Sequence, residues 1–284
     1  MFPPNPLIKE LLKKCIAQAQ HLYPIQICAL LVESTHIHLL VRVIDPQDAV
    51  NFFGRFKTES AHAVNRLLGR KKRTVWCEGY DSPLVDDIET IKDKIAYIYE
   101  NPSKDGLVDQ VDHFPGLSTW NDFKNLGPRS HTKRKYETRY IARDEFKPLG
   151  QSPLKLRDYA RLHRQLTYKK KKNFYEIDFN VWMERFGITD PHEQYLMNQS
   201  IIEMVREREA GHREAREAKG RSVVGRRRLE DISVGAPYQP DRRGRRMLVH
   251  SVDREFRKKQ IRWIRELIRV GREVLERWRQ GDFS

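Results

Sequence analysis

The chain has 284 residues, with 54 Lys and Arg against 39 Asp and Glu, a formal net charge of +15. That excess points to a polyanionic partner, nucleic acid before anionic membrane, and the absence of any apolar run near the ~20 residues that cross a bilayer excludes a membrane-spanning helix. Cys15, Cys28 and Cys77 are odd in number and scattered, which excludes a zinc ribbon or a disulfide framework; with an N-terminus lacking a basic-then-apolar signal pattern, a cytoplasmic location is expected.

Asn5 can cap a helix and Pro6 suits its first turn. Ile8, Leu11, Leu12, Cys15, Ile16 and Ala19 then recur at helical spacing, and the helix ends near Tyr23-Pro24. Ile25 to Val32 is an unbroken β-prone run. Glu33, Ser34 and Thr35 turn the chain, and His36 to Val43 returns as a second strand, antiparallel to the first. This strand sorts by period two. Ile37, Leu39, Val41 and Val43 form one face, and His36, His38, Leu40 and Arg42 form the other, so two imidazoles project side by side.

Asp45-Pro46 opens the next helix. Ala49, Phe52, Phe53, Phe56, Ser60, Ala63, Val64 and Leu67 line its buried side, with Arg55, Lys57 and Arg66 on or beside the polar side. Gly69 ends it before an exposed basic loop, Arg70, Lys71, Lys72 and Arg73. "TVWCEG" and "PLVDD" read as short strands. Asp87 caps a further helix that runs to about Glu100 and is stopped by Asn101-Pro102. Ile88, Ile91, Ile95, Ile98 and Tyr99 make its core stripe. Tyr97 lies roughly 200° round from Ile95, at ~100° per residue, and so points away from that stripe. Asn101 follows one turn later on the Tyr97 face.

These residues suggest one chemistry. A phenol is a poor nucleophile near neutrality because it ordinarily titrates near 10. A divalent ion compensates by polarising a phosphate and stabilising the leaving oxygen. Two histidines and one amide oxygen give three protein ligands and leave positions open. On its own the histidine pair more often means local hydrogen bonding than a metal site. A histidine-triad hydrolase is excluded, because the third alternate position is Leu40.

"THIHLLVRV", then "GYDSPLVDD", then "IAYIYENPSKDGLV" resembles the HUH single-tyrosine transposases, in particular the REP-associated tyrosine transposases and their insertion-sequence relatives. The resemblance covers roughly residues 7 to 125, with "FPGLSTW" (Phe114 to Trp120) near its end. It implies His36, His38 and Asn101 as ligands of Mg²⁺ or Mn²⁺, and Tyr97 as the nucleophile that attacks single-stranded or hairpin DNA to give a 5′-phosphotyrosine and a free 3′-hydroxyl. The alternative is a domesticated, truncated or catalytically impaired relative that holds hairpin DNA without cutting it. A second copy of the chain is a further partner left open.

The implied fold is α+β, a ferredoxin-like antiparallel sheet with helices on one face. Its usual first strand is missing, because "MFPP" cannot supply a central strand. The histidine strand should then have an open edge, and the chain would be a truncated or mis-started copy. The expected division is a transposase-like domain at residues 1–125 and a basic, mainly helical accessory region at 126–284, with a linker near 220–247. Helices are expected in "SPLKLRDYARLHRQL", "DFNVWMERFGI", the stretch from Asp190 to Gly220, and Ser251 to Gln280. For DNA contact the candidates are Arg55, Lys57, Arg70, Lys71, Lys72 and Arg73, with Lys169 to Lys172 and Arg242 to Arg246 as further basic runs.

Overall fold

Asn5 opens the first helix as the sequence predicts: its side chain accepts from the Ile8 N–H, and α1 runs Pro6–Leu22. The computed structural model describes residues 2–71, 73–77, 79–138, 155–165, 173–234, 248–251 and 253–282. Lys72, Lys169 to Lys172 and Arg242 to Arg246 lie outside the described residues, as does part of the expected linker.

Strand β1 (Gln26–Val32) and strand β2 (Ile37–Arg42) form the expected antiparallel hairpin. Its tip is tight, with the Glu33 N–H donating to His36 O at 2.9 Å. The register pairs Leu31 with His38 and Val32 with Ile37, and it shifts between Ile27 and Ala29. Helix α2 (Pro46–Leu67) is capped by Asp45 and buries Phe52, Phe56, Ser60, Val64 and Leu67. The expected strand at "TVWCEG" does not form across its described residues. Trp76 instead leans on α2, donating from Nε1 to Ser60 Oγ at 2.9 Å and lying near the Phe56 and Phe2 rings, so side-chain burial replaces a sheet ladder.

The "PLVDD" strand appears as β3 (Leu84–Val85). Helix α3 (Ile88–Lys104) starts at Asp87, which accepts from the Thr90 N–H at 2.7 Å. It does not stop at Asn101-Pro102 but continues through Pro102 to Lys104. A proline is tolerated there because only one ladder bond is lost in the last turn. Gly106, at φ +66°, then ends the helix: its N–H donates to Ser103 O, and the Leu107 N–H donates to Pro102 O.

Strand β4 (Leu117–Ser118) and helix α4 (Trp120–Lys124) follow. The described residues beyond 125 are mainly helical, as expected, with short strands besides. Strand β5 (Lys133–Thr138) precedes α5 (Leu156–Gln165), and strand β6 (Asn173–Asp178) pairs antiparallel with β5. The expected helix at "DFNVWMERFGI" is reduced to a 3₁₀ turn at Met183–Phe186, ended by Gly187 at φ 72°. Helix α6 (Pro191–Glu217), helix α7 (Arg226–Glu230), strand β7 (Val249–His250) and helix α8 (Arg254–Arg279) complete the order.

The class is α+β as expected, but the sheet is mixed. Its order is β2-β1-β6-β5, with β1 and β6 parallel at Ile27 and Ile177, and β4 also on β1. This sheet draws on residues on both sides of position 125. Among the described residues β2 pairs with β1 alone, leaving the histidine strand at the edge.

The described residues form two compact units. The first, 1–77 with 94–239, holds the mixed sheet. Its core includes Ile16, Ile27, Phe52 and Phe56, with an aromatic group of Tyr99, Trp120, Phe123 and Phe179. The second, 78–93 with 240–284, holds the parallel β3–β7 pair and the basic helix α8. No helix among the described residues is long and apolar enough to cross a membrane.

Candidate active site

The hairpin presents its histidines as period two requires. The His36 and His38 rings lie edge to face with centroids 4.5 Å apart. Glu33, at the end of the hairpin turn, joins them: one possible ligand atom each from Glu33, His36 and His38 lies within 4.8 Å of the others. From the sequence alone Glu33 is a turn residue and no more. Its place three residues before His36, where a tight hairpin folds back beside its own strand, was the signal available.

Burial sets the electrostatics of this group. The Glu33 side chain is 2% exposed, and burial, followed by the neighbouring Asp105 carboxylate, pushes its carboxyl up to about 8. Burial, then repulsion from His36 when that ring is protonated and from Lys104, pushes His38 down to about 3. His36 is also lowered, first by burial. The 3.5 Å approach of His36 Nε2 to Glu33 Oε2 is therefore a contact between neutral groups near pH 7 and not a salt bridge. Thr35 Oγ1 shares a hydrogen bond of 2.8 Å with His36 Nδ1.

Two polar atoms of the group are buried with no hydrogen-bond partner, His38 Nε2 and Glu33 Oε1. Leaving both unmet costs free energy. Neutral imidazoles and a carboxyl that would ionise beside a cation are the donor set a divalent ion takes. The residues present fit a metal.

Tyr97 comes from α3, off the buried stripe. Its ring stands perpendicular to His38, with centroids 5.7 Å apart. Lys104, two turns further on, donates to the Tyr97 phenol oxygen at 3.3 Å and lies 4.3 Å from the ring centroid. Tyr99 is a different kind of residue: fully buried, it shares a 2.9 Å hydrogen bond with Thr119, and burial pushes its phenol up. Asn101 is buried, and its Nδ2 donates to Tyr97 O at 2.6 Å, which leaves Oδ1 as its one ligand atom.

The basic candidates differ among themselves. Arg55 pairs with Glu59 at 2.9 Å, and Lys57 donates to Cys77 O at 2.7 Å. Arg70 Nε is buried without a partner, while Lys71 and Arg73 are exposed.

No curated protein and no solved structure matches the chain. Residues 5–101 match the family model described as "Transposase IS200 like". The matched segment, which carries both histidines, Tyr97 and Asn101, is similar to the IS200-like transposases.

Proposed function

We propose that the protein is a metal-dependent, single-tyrosine transposase that nicks and rejoins single-stranded DNA at hairpins. The observation that carries this reading is the approach of the Tyr97 ring to His38, beside the Glu33, His36 and His38 group. His36, His38 and Glu33 would hold the ion, with the Asn101 amide oxygen as the further ligand the family resemblance implies. Of the two ions expected, two imidazoles and a carboxylate suit Mn²⁺ better than Mg²⁺. When bound, the ion supplies Lewis-acid polarisation of the phosphate.

The Tyr97 oxygen attacks phosphorus as the phenol proton passes to solvent. The phosphorus–O3′ bond breaks, and the 3′-oxygen takes up a proton. Because one phosphodiester replaces another, no water or nucleotide is consumed, and the 3′-hydroxyl can later reverse the step. His38 abuts the phenol ring and limits where it can swing.

The test is incubation with a labelled hairpin carrying a single-stranded flank, in Mn²⁺, resolved on a denaturing gel. The wild-type chain should give a protein–DNA adduct, and Tyr97→Phe none. Tight hairpin binding with no adduct at any flank would leave DNA binding as the activity and remove the enzymatic reading.

A further inference from the structure

Lys104 stands where two features meet. It follows Tyr97 by two helical turns and so shares its face of α3. Its ammonium is 3.3 Å from the phenol oxygen and 4.3 Å from the ring centroid. Its charge is also felt by Glu33, His36 and His38. The neighbouring residue, Asp105, acts on Glu33 and His36 with the opposite sign. Helix α3 is held close to this point by α6: Arg216 donates to Ser103 O, and it pairs with Asp109 at 2.7 Å. The end of α3 that carries Lys104 is thus fixed against a second helix.

We infer that Lys104 is a further catalytic residue, which holds the phenol oxygen in place and offsets the negative charge that gathers on it and on the phosphate oxygens during transfer. This rests on the strand-transfer reading above. As the phenol loses its proton and its oxygen closes on phosphorus, the adjacent ammonium faces charge that is greater in the transition state than in the resting phenol. Only such a difference accelerates the step. In the rejoining direction the same oxygen is the leaving group, so the same contact serves both directions.

The experiment compares wild type, Lys104→Met, Lys104→Arg and Tyr97→Phe as full chains with the labelled hairpin and Mn²⁺. Hairpin affinity is read by fluorescence anisotropy, Mn²⁺ affinity by calorimetry, and single-turnover adduct formation and rejoining on gels. K104M should bind Mn²⁺ at least as tightly as wild type, because a cation beside the metal group is removed, and any loss of hairpin affinity should be far smaller than its loss of rate. Its adduct should form about 100-fold more slowly, the loss expected from removing one preorganised charge-stabilising donor. Rejoining should slow by the same factor, so the adduct fraction at equilibrium stays unchanged, and K104R should recover part of the rate. A wild-type adduct that vanishes in Y97F but forms at full rate in K104M would overturn the inference alone. So would a loss explained entirely by weaker hairpin binding. Absence of any wild-type adduct would overturn the strand-transfer reading and this inference with it.

Discussion

Glu33 is a buried carboxyl with one oxygen unmet, set against an imidazole nitrogen that is also unmet. Such a pair is a cost to the metal-free fold and a gain only when something fills the gap. Glu33→Met should therefore raise the stability of the metal-free protein by about 1 kcal/mol. It should also abolish the rise in thermal midpoint that Mn²⁺ gives the wild type. Asn101→Ala should weaken that rise less than Glu33→Met, since the amide brings no charge. Thermal melts with and without Mn²⁺ decide the matter, and full Mn²⁺ stabilisation in the Glu33 variant would remove that residue from the site. The histidines were legible because strand period two forces neighbours at i and i+2 to one face. Tyr97 was legible by its offset from an isoleucine stripe. Glu33 was not, because an acidic residue in a turn reads as solvated whether or not the chain folds over it.

The turn that follows α3, at residues 111–113, owes its setting to α6, an element far away in the sequence. Glu209 on α6 accepts from the Val111 N–H at 2.6 Å, and Arg206 reaches Asp112 at 2.6 Å, with Lys124 on the same carboxylate. Burial pushes the Asp112 carboxyl up, but hydrogen bonds from Arg206 and Lys124 outweigh it and hold the group well below the usual carboxylate range. A carboxylate lowered in the native state stabilises the fold above its unfolded pKa, near 4, and that contribution fades as pH falls toward the native value. Asp112→Asn should then cost about 1–2 kcal/mol at pH 7, after allowance for partial solvent screening. The gap to wild type should narrow below about pH 4, as urea melts at the two pH values would show. An equal gap at both would assign the loss to packing. The Asn-Pro signal misled about where α3 ends, because a proline in a last turn gives up little and Gly106 was the true stop.

The sheet of the first unit draws its strands from both sides of residue 125. Residues of β5 and β6 extend the sheet that begins with the histidine hairpin, and the Tyr136 and Tyr175 rings stack across them at 4.9 Å. The α+β class was readable from local periodicity. The β5–β6 pairing was not, because its strands lie 35 residues apart where they close, at Thr138 and Asn173, and are rich in charge. A fragment ending at residue 125 would keep every proposed site residue. It would lose β6 from the flank of β1 and leave Asp112 without Arg206. Such a fragment should associate or melt without cooperativity, where the full chain gives one sharp transition for its sheet unit. Size-exclusion chromatography and circular dichroism would show the difference, and a monomeric, cooperative fragment would contradict it.

The side of β2 that no described strand pairs also gives the hairpin a rhythm in time. A strand bonded along one flank has every second amide turned away from its neighbour, so Ile37 to Arg42 should split into two classes of hydrogen exchange. Amides that face β1 should exchange slowly, and those that face outward should exchange almost as fast as a free chain. The fast class comes from the same stretch of backbone that carries His38. Any chain or nucleic acid that settles along this flank will announce itself as the loss of an alternating pattern, residue by residue, before a change in shape is seen. Uniform slow exchange across β2 in dilute protein would mean that the flank is already covered.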